Sequence, residues 1–505
     1  MPTMQISNRV IEPGIIGCLF LIAIFAPHSI AATQTAWLVG MALWLLRFAF
    51  YPRPKLFRSP VDYVLLGFFV LSGVSGVFSY SPVVSIGKMR AASLFTIVYL
   101  VSQNVPSLRT VRWLAFALLG SCMVNVLWTA GQLAMGRGVK VYGVSAESPL
   151  AKAAFHTRMV NNETPIKDGD IVWQVDGQRV DSPEELAAAL ISGNDTIAKV
   201  RIYRVEWTPE LAVPRTLLPG TNAQQQLGIA RWTRGRDWRA TGFYGHWTTY
   251  AEVLQLIASL ALGIFLALSQ KRSRVGWLLL VALGGLMFAL AMTVTRGSWI
   301  GFAVSVAAML LLSVSRRTAI VIAACAIPLV LAGVFLLQQR RKIGFFDSAD
   351  QSTSWRQIVW REGFNLLVNN PRHLLAGVGM DSIKGHWRQW GLFDNGRQPI
   401  GHMHSNLLQI ALERGVPALI LWLLLFVIYI RMLWRLIRQS ADFPRGLALG
   451  ALGGTLGFFT SGLVHYNWGD SEVVTIFYFI MGLSLAAARF VVVDSQKAPQ
   501  TRSGR

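Results

Sequence analysis

The chain has 505 residues, of which 53% are hydrophobic and only 14% charged, and it carries a formal net charge of +22. An apolar composition sustained over that length excludes a soluble globular protein and implies a polytopic membrane protein. Its three cysteines, Cys18, Cys122 and Cys325, fall far apart within apolar runs, which excludes a cysteine-based metal or redox motif and leaves buried packing as their role.

Apolar runs near the ~20 residues needed to cross a bilayer recur along the chain. They fall at 11–31, 35–50, 61–79, 88–104, 110–134, 247–268, 275–294, 298–314, 318–338, 415–436, 444–465 and 472–490. The expected architecture is therefore all-α, with about twelve transmembrane helices. Basic residues cluster after every even-numbered run: Arg47 to Arg58, Arg109 and Arg112, Lys271 to Arg274, Arg316 and Arg317, and Arg431 to Arg445. By the positive-inside rule both termini are then cytoplasmic, and the two long connections, 135–246 and 339–414, face the other side. The first apolar run leads straight into the bundle, so no cleavable signal peptide is expected.

Residues 1–135 hold the first five spans. Residues 136–225 then change to the composition of a soluble domain, an α+β insertion. SPLAKAAF suits a short helix, and IKDGDIVWQVDGQRV alternates apolar and polar residues around a hairpin turn at Asp176-Gly177. DSPEELAAAL opens a helix, with Ser182 as N-cap, Pro183 in the first turn and Glu185 closing a capping box. AKVRIYRVE returns as a strand.

Spans six to nine occupy 226–338. His246 stands where the chain enters span six, suited either to contacting a sugar or to capping the helix. Glu252, one turn in, is expected to pair with an arginine. The two long outer connections break the positive-inside bias: Arg231, Arg234, Arg236 and Arg239 precede span six, and Arg340, Arg341, Lys342, Arg356, Arg361, Arg372, Lys384, Arg388 and Arg397 follow span nine. Solvated charge or contact with anionic lipid headgroups is one account of this excess. A docking surface for an anionic substrate is the favoured one, because arginine forks fit phosphate oxygens. No nucleic-acid partner is expected.

The loop ends in PIGHMHSNLLQIALERGVPAL, residues 399–419. A short helix is expected from Ser405 or His404 as N-cap to Gly415 and Pro417. Asn406, Gln409 and Glu413 fall on one face of it as a polar stripe. At the helix N-terminus the dipole disfavours imidazolium, so His404 is expected to be a neutral base. His402 and His404 lie only two apart without an accompanying acidic motif, so no metal cluster is expected. Residues 415–505 supply spans ten to twelve and a cytoplasmic tail. Asp470, in the short loop HYNWGDSE, either orients an acceptor or belongs to a polar interfacial turn.

HSNLLQIALERGVPAL resembles the signature of the O-antigen ligase and polymerase superfamily, with His404, Glu413 and Gly415 at matching positions and Ser405 where that family usually has asparagine. TVTRGSWIG (Arg296), RATGFYGHWTTYAE (Arg239) and SWRQIVWREGFNLLVNNPRHLLAGVGMDS (Arg356, Gly377, Gly379) resemble its other landmarks, in order. The insertion, over roughly 140–206, resembles a PDZ domain, which implies capture of a chain terminus by strand addition. VYGV is a poor version of that family's carboxylate-binding loop, so a spacer or docking surface is the alternative.

The resemblance implies a GT-C-type glycosyltransferase of the bacterial inner membrane, with its active site facing the periplasm. The donor would be a glycan on undecaprenyl pyrophosphate and the acceptor a lipid A–core sugar. His404 would be the catalytic base, and Arg239, Arg296 and Arg356 would bind pyrophosphate. His402, Asn406, Glu413, His246 and Asp470 would support the base or bind substrate. The transfer would invert the anomeric centre and need no metal or other cofactor. An O-antigen polymerase, or a protein O-oligosaccharyltransferase with the insertion presenting a polypeptide, would use the same donor. A proton-coupled transporter fits less well, because the span interiors hold almost no Asp or Glu. The absence of His-Glu-x-x-His counts against a zinc protease.

Overall fold

The computed structural model describes residues 10–155, 165–204, 208–315, 317, 318, 320, 321, 324, 328, 351–397 and 401–497. The expected span 318–338, with Cys325, lies essentially outside the described residues, as do Arg340, Arg341 and Lys342. The chain divides into a helical unit, 1–126 with 241–505, and a smaller unit, 127–240.

Among the described residues, seven helical segments are long and apolar enough to cross a membrane: Pro82–Asn104, Leu108–Met135, Trp247–Ala267, Arg274–Thr293, Arg296–Ser313, Val416–Gln439 and Ser471–Val492. Glu12–Phe25 and Asp62–Val77 are apolar but shorter. Helices also stand at Ile30–Arg47 and Asp442–Ser461. The first carries a threonine and glutamine in its opening turns, and the second is rich in glycine, so neither reads as strongly apolar. Among the described residues, length and apolarity thus support seven of the spans expected.

Several helix starts follow from local chemistry. Ser29 Oγ accepts the Ala32 amide at 3.3 Å and Ser273 Oγ accepts the Gly276 amide at 3.2 Å, satisfying amides that have no partner within the helix. The centre of the bundle is a seam of small residues. A Cβ on Gly450 would lie 2.6 Å from Leu260 Cα, and one on Gly263 would lie 2.1 Å from Gly450 N. A Cβ on Gly301 would meet the Gly457 carbonyl at 2.6 Å. Trp247–Ala267, Asp442–Ser461 and Arg296–Ser313 therefore pack backbone to backbone, as small residues permit between apolar helices.

The smaller unit is a seven-stranded antiparallel sheet. Its strands are Val139–Val144, Ala154–Phe155, Ile171–Val175, Gln178–Arg179, Ile197–Tyr203, Glu210–Pro214 and Ile229–Arg234, with the last strand paired to the first. Asp176 and Gly177 both take positive φ, 46° and 86°, in the hairpin between Ile171–Val175 and Gln178–Arg179, as a tight primed turn requires. The helix Pro183–Ile191 is capped by Ser182, whose Oγ accepts the Glu185 amide at 3.2 Å. The Glu185 carboxylate closes on the amide of Asp181, at 2.7 Å, one residue earlier than a standard box. SPLAKAAF departs from expectation: it forms turns and then the strand Ala154–Phe155. Ser148 Oγ accepts the Leu150 amide and donates to the Leu227 carbonyl, and this tertiary tie replaces a helical first turn. Trp238 closes the unit, its ring 4.5 Å from that of Tyr203 and 3.8 Å from the Arg137 guanidinium.

Candidate active site

The short helix Asn406–Arg414 forms as expected, with Ser405 at the cap position but no cap bond from its side chain. Its polar stripe faces inward: Asn406 is 1%, Gln409 3% and Glu413 4% exposed. Glu413 Oε1 accepts the Gln409 amide at 2.9 Å and the Asp381 backbone N–H at 3.0 Å, while Oε2 accepts Tyr466 Oη at 3.1 Å. Gln409 Oε1 in turn accepts the Met403 N–H at 2.6 Å. The stripe thus ties the histidine loop to the turn around 377–382.

That turn needs its glycines. Gly377 has φ 73° and Gly379 φ 97°, and the Gly379 amide donates to the Glu413 carbonyl at 3.0 Å. A Cβ on Gly377 would stand 2.4 Å from the Glu413 carbonyl carbon. No other residue combines that backbone with that approach.

His404 adopts φ 47°, a left-handed conformation uncommon for a residue with a side chain. Its amide donates to His402 Nδ1 at 3.1 Å, which leaves the His402 proton on Nε2. The two rings lie 4.0 Å apart, and Trp355 meets His404 edge-on at 4.5 Å. Trp360 Nε1 donates to the Met403 carbonyl at 2.8 Å, so the helix Gln351–Val368 both clamps this loop and carries Arg356.

Burial lowers the His404 pKa to about 2, helped by His402, then Arg356, His465 and His246. His402 is lowered to about 4, by burial first and then by His465, Lys384, His246 and Arg356. Both rings are therefore neutral at pH 7. Desolvation and neighbouring positive groups dominate here, where the sequence suggested the helix dipole.

A second network lies behind the first. Glu252, 1% exposed, accepts Ser461 Oγ at 2.7 Å, His465 Nδ1 at 2.9 Å and Asn467 Nδ2 at 3.0 Å. Asn406 Nδ2 donates to Asn467 Oδ1 at 2.6 Å, and Asn406 Oδ1 accepts the Trp468 N–H at 3.1 Å, tying the start of the short helix to the Glu252 network. Glu252 thus has these three side-chain partners, in place of the arginine pairing that the sequence alone suggested. His465 also packs on the helix bearing Arg296: a Cβ on Gly297 would lie 2.7 Å from His465 Cε1.

His402, His404 and Arg356 are brought together, with His246 within electrostatic reach. His246 occupies the N-cap position of Trp247–Ala267 without a cap bond from its ring, which stacks on Trp247 at 5.1 Å. Arg296 opens its helix and is half-buried, whereas buried Arg239 follows Trp238 in the sheet unit. Asp470 accepts Thr249 Oγ1 at 2.5 Å, and burial, with Glu472 beside it, raises its carboxyl to about 8. Sequence reading passed over His465, Tyr466 and Asn467, although they stand in the same short loop as Asp470.

Among the described residues no group of three or more His, Cys, Asp or Glu is placed to hold a metal ion.

Residues 280–423 match the O-antigen ligase family profile. The matched stretch contains Arg296, Arg356, His402, His404 and Glu413. His246, Arg239 and Asp470 lie outside it. No curated protein matches the chain.

Proposed function

We propose that this chain is an O-antigen ligase: an inverting glycosyltransferase of the bacterial inner membrane that moves a glycan from undecaprenyl pyrophosphate to a lipid A–core hydroxyl on the periplasmic side. The observation that carries the reading is the neutral His404, fixed between Trp355 and His402 beside Arg356, inside the stretch that resembles O-antigen ligases.

In this reaction the acceptor oxygen attacks the anomeric carbon and forms the new glycosidic bond. The bond from that carbon to the pyrophosphate oxygen breaks, and its electron pair leaves with the pyrophosphate. The acceptor proton passes to His404. Arg296 and Arg356 stabilise the anionic leaving group, so no acid is needed to protonate it. A base of such low pKa accepts a proton only late, when bond formation has made the hydroxyl proton acidic. The negative charge of a bound donor opposes Arg356 and raises the basicity of the ring where it is needed. The reaction as drawn uses no metal. The inserted sheet is read as a PDZ-like module that docks a protein partner.

The test is transfer by the purified protein from undecaprenyl-pyrophosphate glycan to lipid A–core, followed by the appearance of the joined product. His404→Ala is expected to lower turnover by roughly 10²–10⁴-fold and Arg296→Ala by roughly 10²–10³-fold, with both variants folded. Lengthening of the glycan on its carrier, with no product on the core lipid, would replace the ligase reading with a polymerase.

A further inference from the structure

His402 lines a cavity of about 440 Å³, all of whose walls belong to the helical unit. Its walls include His402, Tyr466 and Phe68, and its charged lining is Lys88, Lys384, Arg414, Asp381 and Glu413. That volume suits a small polar ligand such as one or two sugar rings.

Arg414 is the unusual member. It is 8% exposed, yet its Nε and Nη1 have no hydrogen-bond acceptor. Nη1 stands 3.4 Å from Glu413 Oε2, an ion pair without hydrogen-bond geometry, and the guanidinium lies 5.6 Å from the Phe68 ring centre. Glu413 Oε2 accepts Tyr466 Oη, whose hydroxyl also neighbours the guanidinium, while Oε1 is turned to Gln409 and the Asp381 amide, so neither Nε nor Nη1 of Arg414 reaches an acceptor with hydrogen-bond geometry. Buried guanidinium donors left unsatisfied are costly unless a ligand completes them.

The mouth repeats the pattern. Lys88 Nζ and Lys384 Nζ share one carboxylate, Asp381, at 3.0 and 2.9 Å. Three cations thus face two carboxylates around a cavity whose histidine is neutral.

We propose that this cavity is the acceptor subsite and selects a glycan carrying an oxyanion, a phosphate ester or a sugar carboxylate, which Arg414 binds within and the two lysines draw in at the mouth. The proposal rests on the transferase reading above. It places the oxyanion in the cavity that His402 lines, with the acceptor hydroxyl directed to His404. Charge-assisted contacts to a guanidinium fork are strong enough to make this a selection rather than a preference.

The experiment uses the full-length protein with lipid A–core in three forms: untreated, phosphatase-treated to remove phosphate, and carbodiimide-amidated to remove carboxylate. Acceptor binding is measured without donor, and acceptor and donor KM are measured in transfer. Removing the relevant oxyanion is expected to weaken acceptor binding about tenfold or more in the wild type, and which treatment does so names the group. Arg414→Gln should raise acceptor KM by a similar factor, leave donor KM within about twofold, and be indifferent to the treatment. The exposed pair Lys88→Gln with Lys384→Gln should fold and lose the salt dependence of acceptor binding. If Arg414→Gln does not fold, the lysine variant and the treated acceptors decide the matter. Acceptor binding indifferent to both treatments, or an Arg414→Gln effect on donor KM alone, overturns the proposal. Charge-dependent acceptor binding with no transfer under any condition would leave the subsite standing and remove the ligase reading.

Discussion

Glu413 and Glu252 are both buried carboxylates with three hydrogen bonds, but their partners differ in kind. Glu413 takes a backbone amide from the glycine turn, the Gln409 side chain and Tyr466, and stands beside an unsatisfied arginine on a cavity wall. Glu252 takes three side chains from one short stretch, Ser461, His465 and Asn467, away from that cavity. The first gathers pieces of chain remote in sequence around an open space; the second locks one turn to one helix. The comparison assigns Glu413 to the geometry of the site and Glu252 to its foundation.

The sharpest way to break that contrast is Glu252→Ala. It strands His465 Nδ1, takes one acceptor each from Ser461 Oγ and Asn467 Nδ2, which keep the Phe458 carbonyl, and leaves a cavity. It should therefore cost about 3–5 kcal/mol of stability, seen as a lower melting temperature and poor recovery of folded protein. Glu413→Gln keeps the shape and one acceptor oxygen, so the loss of stability should be smaller, about 1–3 kcal/mol. Its turnover should nevertheless fall by roughly 10²-fold as the histidine loop shifts. Equal stability losses in the two variants would erase the distinction. Asn406→Ala and Asn467→Ala, alone and together, should show a coupling of about 0.5–3 kcal/mol, and strict additivity would mean the networks are independent.

The smallest effect is on pH. The Asp470 carboxyl is raised to about 8, so the folded chain holds a proton that the unfolded chain has lost. Stability from this group is present below the ordinary carboxylate range and is lost as pH rises toward 8. His402 and His404, lowered to about 4 and about 2, act oppositely: the unfolded chain gains protons first as pH falls below the ordinary histidine value. A melting-temperature profile should therefore decline on both sides, and Asp470→Asn should remove only the alkaline decline.

The sequence displays the stripe Asn406, Gln409 and Glu413 by its spacing, and it displays the hairpin at Asp176-Gly177 and the cap at Ser182 by local chemistry. It does not display which way the stripe faces, because its partners Asp381 and Tyr466 come from distant parts of the chain. The same limit explains SPLAKAAF, whose helical composition yields to a bond from Ser148 to Leu227. It also explains why Asp470 is the residue that stands out in the loop at 465–472: a carboxylate is conspicuous in a polar loop, whereas His465 and Asn467 show their part only through Glu252, more than 200 residues earlier, and Asn406.

The glycine seam sets how the molecule can move. With Gly263 and Gly450 in backbone contact and Gly301 against Gly457, these three helices cannot slide or roll without collision. The turn after Asp442–Ser461 and the first turn of Trp247–Ala267 therefore travel as one piece, carrying Ser461, His465 and Glu252 together.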